Sequence, residues 1–200
     1  MRLFVAMDIP EDVRSAIRGL TAKLRPACRN ARWPRIEGLH VTLKFIGETL
    51  PEKVAAIEAA LAAIPSRDPI LLAFRGLGFF PDRRRPRVLW AGVEAGPELA
   101  ALADAVARAV DNALGTAPDT QPAPPGEPRE ERVFSPHLTL ARFDTPRGLN
   151  ALHSAIEKAA PFEFGGATAK EFYLYQSVLK PGGAEYTRLA TFTLAGRKFG

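Results

Sequence analysis

The sequence has one cysteine, three histidines and no long apolar run. Cys28 is the only cysteine among 200 residues, so no intrachain disulfide can form and nothing indicates an oxidising compartment. No cluster of cysteine and histidine has the spacing of a zinc site. The apolar start, residues 1–9, is too short for a signal-peptide core, and no run reaches the ~18 apolar residues of a membrane helix. These absences predict a soluble, cytoplasmic protein with no membrane partner.

The composition that is present is globular and basic. Hydrophobic residues make up 46% and charged residues 24% of the chain, which argues against a disordered, coiled-coil or collagen-like protein. Lys plus Arg number 27 against 22 Asp plus Glu, which gives a net charge of +5. Most of the basic residues are arginine, whose planar guanidinium matches phosphate better than an ammonium does. The excess is weak evidence for a polyanionic partner, because a general bias towards Ala, Arg and Pro would produce it too.

Hydrophobic periodicity predicts strands and helices in alternation along the whole chain. The predicted strands are 2–8, 39–46, 70–74, 87–93, 137–143, 171–176 and 186–194. The predicted helices begin at Pro10, Pro51 and Pro146, and a further one spans 97–114. Two glycines, Gly76 and Gly78, indicate a bend or bulge after the third strand.

The order strand, helix, strand, helix, strand occurs twice, in halves of about 1–80 and 86–200. We interpret this as an internal duplication, with chance likeness of two generic runs as the alternative. The Pro-rich segment 116–130 accounts for the longer second half and is predicted to be an exposed loop. The chain is therefore predicted to be a single bilobal α+β domain, 1–200. It would have two pseudo-symmetric, antiparallel-type sheets, helices on the outer faces and a central cleft.

Two of the three histidines lie in one repeated pattern, His40-Val41-Thr42-Leu43 and His137-Leu138-Thr139-Leu140. On a strand, the His and Thr of each motif point to one face and the aliphatic residues to the other. A lone histidine on a strand is more often structural than catalytic. Repetition at matching places in the two halves reverses that expectation and predicts a paired site across the cleft.

Two imidazoles on either side of a cleft can act as acid and base, because imidazole titrates near neutral pH. The two flanking hydroxyls can donate hydrogen bonds to the oxygens of a phosphate. Metal binding is the rival interpretation, but two histidines without a third ligand make a poor zinc site. The sequence also contains no P-loop motif for nucleotide phosphates.

The paired motifs resemble those of the 2H phosphoesterase superfamily, in particular the RNA 2′,3′-cyclic phosphodiesterase family, also called 2′-5′ RNA ligase-like. The similarity extends through the segments RLFVAMDIPEDVR, LHVTLKFIGE, PRVLWAGV, FSPHLTLARF and QSVLKPGGAEYTRL. The Pro-rich segment is longer than the usual connection in that family. The resemblance implies a bilobal α+β fold and hydrolysis without a metal or nucleotide cofactor. The implied reaction converts an RNA 2′,3′-cyclic phosphate end to a 2′-phosphomonoester.

The resemblance also implies a role for each residue of the two motifs. His40 would donate a proton to the departing 3′-oxygen, and His137 would accept a proton from the attacking water. Thr42 and Thr139 would hold and polarise the phosphate. The residues alone do not decide which histidine is the acid, because the two motifs look alike.

Three further residues are candidates for substrate binding. Arg142 follows the second motif as it does in the family and could neutralise phosphate. Strict alternation places it on the face opposite His137, so it needs a twist or a bulge to reach the site. Lys44 shares the predicted face of the first motif and could contact phosphate, or could simply be solvated. Phe45 could stack on a base, with core packing as its alternative role, and the same alternatives apply to Phe134.

The remaining features carry less information. The run 82–87, DRRRPR, could follow an RNA backbone or could be a solvated loop. We assign no function to His153, and we expect Cys28 to be inert.

Other functions stay open beside the phosphodiesterase. A related 2H enzyme could act on a small cyclic nucleotide or join 2′-5′ ends. A non-catalytic module that binds RNA ends is a further alternative, although two intact histidines argue against it. We therefore expect RNA with a 2′,3′-cyclic phosphate end, or a small cyclic nucleotide, as the partner of a monomeric protein.

Overall fold

The computed structural model describes residues 1–65, 67–116, 134–145, 148–181 and 183–196. The predicted Pro-rich loop 116–130 lies outside these residues except for Thr116, and so does Pro146. The described part of the chain contains four α-helices and two four-stranded antiparallel sheets, which confirms the predicted α+β fold with two sheets.

The elements follow one another in nearly the predicted order. The strands are β1 (Arg2–Asp8), β2 (His40–Glu48), β3 (Ile70–Phe80), β4 (Val88–Ala95), β5 (His137–Arg142), β6 (Glu163–Ala169), β7 (Glu171–Lys180) and β8 (Gly183–Thr193). The helices are α1 (Glu11–Leu24), α2 (Val54–Ala62), α3 (Pro97–Leu114) and α4 (Asn150–Ala159). Short 3-10 turns precede β2 and α2.

Each sheet is built from both halves of the chain. The strand orders are β2-β1-β7-β8 in the first sheet and β5-β4-β3-β6 in the second. Strand β3 belongs to the first half of the chain but pairs with β4 of the second half. Strand β7 belongs to the second half but pairs with β1 of the first half. The two histidine strands, β2 and β5, are edge strands of their sheets and lie against each other.

One large hydrophobic core joins the two sheets to the helices. In β1, Leu3, Val5 and Met7 face this core, where they are fully buried. Helix α1 contributes an apolar stripe at helical spacing that includes Val13 and Ile17. Helix α3 packs on β2, and α1 packs on β6. The helices therefore occupy one side of the sheets and leave the opposite side available for a site.

The structure extends some predicted elements and adds one. The predicted third strand continues to Phe80 through Gly76, which has φ +75° and lies where the register of β3 against β4 shifts, so the bulge is confirmed. Strand β6 was not predicted from the sequence, because its two adjacent glycines weaken the strand pattern. Among the described helices, none is long and apolar enough to cross a membrane.

Candidate active site

The two histidine strands share an irregularity that decides which side chains face the site. In β2, Thr42 is opposite Ala6, but the next pair joins Lys44 to Val5, so one residue is skipped. In β5, Thr139 is opposite Trp90, but the next pair joins Ala141 to Leu89. A skipped residue is a β-bulge, and it moves the side chains that follow to the other face. The likeness of the two strands therefore includes the bulge as well as the motif.

The imidazoles of His40 and His137 make the same hydrogen bond. The Nδ1 atom of His40 lies 2.7 Å from the carbonyl oxygen of Gly38, and that of His137 lies 2.8 Å from the carbonyl oxygen of Ser135. A carbonyl oxygen can only accept, so each Nδ1 carries a hydrogen and donates it. In both residues Nε2 is therefore the nitrogen that can exchange a proton with a ligand.

His40 lies among aromatic rings. Its ring stacks on Phe4 with centroids 4.6 Å apart and meets the ring of Tyr186 edge-on at 5.3 Å. Burial lowers the pKa of His40 to about 4, although its bond to Gly38 and the charge of Asp8 act in the opposite direction. In the ligand-free protein His40 is therefore neutral at neutral pH.

His137 has a different ring neighbour. The ring of Phe80 meets it edge-on with centroids 4.9 Å apart, and the hydrogen bond from Nδ1 is exposed. The residue opposite His137 on β4 is Gly92, whereas the residue opposite His40 on β1 is Asp8. The negative charge beside the first histidine thus has no counterpart at the matching position of the second sheet.

His137 lies close enough to His40 to act on it electrostatically. A positive charge on His137 is one of the influences that lower the pKa of His40, so the two rings lie within electrostatic reach. Thr42 and Thr139 are half-buried, as the histidines are, and alternation places each hydroxyl on the face of its histidine. The structure thus brings the two motifs together at the junction of β2 and β5.

Sequence reasoning missed a polar network beside His40. The hydroxyl of Tyr175 donates to Oδ1 of Asp8 over 2.7 Å, and Nη2 of Arg188 donates to Oδ2 over 2.7 Å. Burial and the bond to Asp8 raise the pKa of Tyr175 to about 12, so it remains a donor. Asp8 could have been suspected from its place at the end of β1 opposite His40, but its partners lie far along the chain.

The prediction that Lys44 shares the face of His40 is wrong. Lys44 is only 6% exposed, and its Nζ lies 2.8 and 2.9 Å from the carboxylate oxygens of the buried Asp111 on α3. The bulge after Thr42 turns this side chain into the core, where it needs an ion partner. Lys44 is therefore removed from the candidate phosphate ligands.

The same bulge brings Phe45 to the face of His40. Phe45 is half-buried and packs against a small cluster formed by Phe4, Ala6, Tyr173 and Tyr175. The guanidinium of Arg2 lies 5.0 Å from the centroid of the Phe45 ring. By contrast Phe134 packs against the main core, as its alternative interpretation expected.

The bulge in β5 shifts Arg142 to the face of the sheet that its predicted role requires. It follows the skipped residue of β5 and is half-buried, which places it on the face of His137. Its charge acts on Tyr186 beside His40, where it opposes the burial that raises the pKa of that tyrosine. Main-chain hydrogen bonds of 2.8 and 2.9 Å join it to Arg32. Arg142 therefore lies where it can act on an anion between the two histidines.

The residues described by the structure include no group of three or more His, Cys, Asp or Glu side chains that could hold a metal ion. Cys28 is buried, and His153 on α4 meets the ring of Phe79 edge-on at 5.3 Å. The candidate site that the structure assembles contains two imidazoles, two hydroxyls and an arginine.

Comparison with known proteins places this architecture in a family. The model of the 2′-5′ RNA ligase superfamily matches residues 9–179. An RNA 2′,3′-cyclic phosphodiesterase of Archaeoglobus fulgidus is 32% identical over 192 residues, which cover 96% of this chain and 99% of the relative. A protein of the same name from Thermus thermophilus is 34% identical over 202 residues, covering 98% and 91%. The chain therefore belongs to the 2′-5′ RNA ligase superfamily of 2H phosphoesterases.

Solved structures show the same fold over nearly the whole chain. A crystal structure of a Thermus thermophilus protein superposes with a TM-score of 0.78 at 32% identity, covering 98% of this chain and 99% of the other. Escherichia coli LigT complexed with 3′-AMP superposes with a TM-score of 0.73 at 27% identity, covering 97% and 98%. The α+β fold predicted from the sequence is thus shared with these solved structures over nearly their whole length.

Proposed function

We propose that this protein hydrolyses RNA 2′,3′-cyclic phosphate ends to 2′-phosphomonoesters, with His40 and His137 as an acid–base pair. The observation that carries the proposal is the matched pair of imidazoles, each with Nδ1 bonded to a carbonyl and Nε2 able to exchange a proton. The names of the relatives that match almost the entire chain support it.

The proposed reaction is an in-line displacement at phosphorus. Nε2 of His137 takes a proton from water while the water oxygen forms a bond to phosphorus. The bond from phosphorus to the 3′-oxygen breaks, and Nε2–H of His40 gives its proton to that oxygen. The products are a 2′-phosphomonoester and a free 3′-hydroxyl. Each histidine contributes through proton transfer in the transition state, which is worth roughly 10²–10⁴-fold for one group.

The neighbouring side chains are proposed to hold the phosphate. Thr42 and Thr139 would each donate a hydrogen bond to a non-bridging oxygen, one from each sheet. The guanidinium of Arg142 would offset the charge that builds up during attack. Phe45, with Arg2 over its ring, would support the base of the terminal nucleotide by stacking.

The protonation of His40 changes during the proposed cycle. In the ligand-free protein its low pKa favours the neutral form, which is the form of a base. A bound phosphate anion favours the imidazolium, as any opposite charge within a few ångströms does. We therefore propose that His40 takes up its proton together with the substrate and is the acid only in the complex.

Ligation of 2′-5′ ends is a second candidate, favoured by the family to which the chain belongs. The chemistry at phosphorus would be the same if a ribose hydroxyl replaced water as the nucleophile. Adding an oligonucleotide with free hydroxyl ends to the assay, and measuring the fraction of joined product, separates the two reactions. The monomeric state and the cytoplasmic location stay predictions from the sequence.

The test uses an oligoribonucleotide that ends in a 2′,3′-cyclic phosphate. The expected product is a 2′-phosphate end, formed in EDTA without ATP, identified by its mass and by co-elution with a synthetic 2′-phosphate standard that separates from the 3′-phosphate isomer. The His40→Ala/His137→Ala double variant provides the background rate. A 3′-phosphate product, or loss of activity in EDTA that one added divalent ion restores, would contradict the proposal.

A further inference from the structure

The loop between β3 and β4, residues 81–87, contains four arginines and lies next to the proposed site. We refer to it as the arginine loop. Its first residue follows Phe80, whose ring contacts the ring of His137. The backbone N–H of its last residue, Arg87, donates to the carbonyl oxygen of Phe80. The carbonyl oxygen of Arg87 accepts the backbone N–H of Phe143, which directly follows β5. The arginine loop is thus hydrogen-bonded to the end of β3 and to the residue that follows β5, the strand with the second motif.

The arginine loop has a defined conformation. Oδ1 of Asp82 accepts the backbone N–H of Arg84 over 2.6 Å and that of Arg85 over 2.9 Å. Arg83 forms an ion pair with Glu157 on α4, and Nη1 of Arg87 donates to the carbonyl oxygen of Asp144 over 2.6 Å. Two arginines therefore anchor the loop through their side chains.

Arg84 and Arg85 contribute to the loop's structure through their backbones, while their side chains are exposed. Holding two guanidinium groups on a fixed loop reduces the conformational entropy that is lost when they bind a ligand. Their planar, permanently charged forks suit phosphate oxygens. The structure therefore presents two cations on a rigid support beside the site.

Among the residues that the structure describes, arginines outnumber the carboxylates that pair with them on this side of the site. Arg32 joins the group because it pairs with the backbone of Arg142 and with the carboxylate of Asp144. The arginines gathered here are Arg32, Arg83, Arg84, Arg85, Arg87 and Arg142, and the carboxylates that pair with them are Asp82, Asp144 and Glu157. A polyanion would be attracted to such a surface, and the attraction would weaken with salt.

The surface near His40 also carries basic side chains, Arg14 and Arg35 among them. Carboxylates there pair with basic side chains, as in Asp8 with Arg188, Glu37 with Arg18 and Glu185 with Lys180. The arginine loop differs in that Arg84 and Arg85 hold exposed side chains on a hydrogen-bonded turn, which suits a chain of phosphates.

We propose that Arg84 and Arg85 bind the phosphate backbone of single-stranded RNA upstream of the cyclic end, which makes an oligoribonucleotide a better substrate than a cyclic mononucleotide. This rests on the proposed function, because it assumes that the end of the strand lies between the two histidines. Each phosphate contact on a single strand adds about 0.7 to the slope of log affinity against log salt. Loss of two contacts should therefore reduce that slope by about 1.4.

The experiment compares two variants with the same change of charge. Arg84→Gln/Arg85→Gln removes two positive charges from the loop, and Arg108→Glu makes an equal change on the exposed face of α3. For each protein, kcat/KM is measured at several salt concentrations for a 2′,3′-cyclic mononucleotide and for a short oligoribonucleotide with a 2′,3′-cyclic phosphate end. We expect the loop variant to lower the ratio of oligonucleotide to mononucleotide kcat/KM by roughly fivefold or more at low salt, with a shallower salt slope. Arg108→Glu should keep the wild-type ratio.

An unchanged ratio and salt slope in the loop variant would overturn the proposal, and so would an equal loss with both substrates. Should the wild type hydrolyse neither substrate, the proposed function fails first. Fluorescence anisotropy with a single-stranded oligoribonucleotide that ends in a 2′-phosphate then tests the loop by itself. Equal Kd values for the wild type and the loop variant would overturn the inference there too.

Discussion

The surroundings of His40 and His137 differ although their strands are built alike. Both histidines begin a strand, both donate from Nδ1 to a carbonyl two residues before them, and both precede a bulge. Beyond those shared features, His40 is packed between Phe4 and Tyr186 with Asp8 opposite. His137 contacts Phe80 edge-on and has Gly92 opposite.

The comparison separates what orients a catalytic histidine from what sets its charge. Orientation comes from local backbone, and it is the same in both halves because the strand and its bulge are repeated. The low pKa of His40 comes mainly from burial by its neighbours, and the neighbours of the two histidines differ between the sheets. A repeated motif can therefore hold two imidazoles in the same way and still place them among different side chains.

Replacement of either histidine should produce the largest effect. We expect His40→Ala and His137→Ala each to lower kcat by roughly 10²–10⁴-fold, since each removes one proton-transfer group. The double variant should be little worse than the worse single variant, because the two groups act as a unit. Near-wild-type turnover by either single variant, measured with the cyclic-phosphate oligonucleotide, would disprove the paired mechanism.

The pH profiles of conservative variants assign the two roles. A base is inactivated by acid, so replacing His137 with Gln should weaken the acidic limb of the rate profile. An acid is inactivated by alkali, so replacing His40 with Gln should weaken the alkaline limb. If the two effects are exchanged, the pair stands and the roles of donor and acceptor are reversed.

The next effect in size concerns stability and the position where the two bulges differ. Lys44 pairs with Asp111, whereas the matching residue in β5 is the buried Ala141. Lys44→Ala should lower the free energy of unfolding by about 3–5 kcal/mol, because it takes the ion-pair partner away from a buried carboxylate. Adding Asp111→Leu should recover much of the loss, as judged by urea denaturation. Equal free energies of unfolding for the wild type and Lys44→Ala would show that the ion pair does not stabilise the fold.

Smaller losses are expected from the two threonines. Thr42→Ala and Thr139→Ala each remove one hydrogen bond to a charged group, worth about 1.5–3 kcal/mol. Thr→Ser at the same positions keeps the hydroxyl and should restore most of kcat/KM. If serine fails to restore kcat/KM, the threonines act by packing and not by holding phosphate.

The smallest effect is a shift in the titration of one ring. NMR of the ligand-free protein should show His40 titrating near pH 4, and addition of a 2′-phosphorylated nucleotide should raise its pKa. Because the unfolded chain binds this proton near pH ~6.5, stability should fall as the pH drops from there towards 4. His40→Gln should reduce that fall. A His40 pKa near the unperturbed ~6.5 in the free protein would contradict the proposal that His40 takes up a proton with the substrate.

The elements whose pattern lies within one segment could be predicted from the sequence. Helix α3 was predicted with its observed bounds, since an unbroken apolar stripe runs from a starting proline to a glycine in the left-handed conformation. The two motifs were found because their pattern is repeated. The environment of each motif was not found, because Asp8, Tyr175 and Arg188 meet only in the folded sheet.

The prediction for Lys44 failed for a definite reason. Alternation was continued past Thr42, but the bulge shifts the pattern by one residue. The same shift explains why Arg142 reaches the face of its histidine against simple alternation. Bulges of this kind have no fixed residue signature in strands of mixed aliphatic residues. The face on which a residue beyond a bulge lies can therefore be assigned only from the structure.

The exchange of β3 and β7 between the sheets has a consequence for folding. A chain cut between β3 and β4 yields an amino-terminal fragment that lacks the partner strands β7 and β8 and a carboxyl-terminal fragment that lacks β3. Pairs such as Ala6 with Tyr173 join the two ends of the chain, and contacts at such separation form slowly. The complete sheets that carry the two candidate histidines therefore need strands from both halves of the chain, and two separately expressed halves should become active only when mixed.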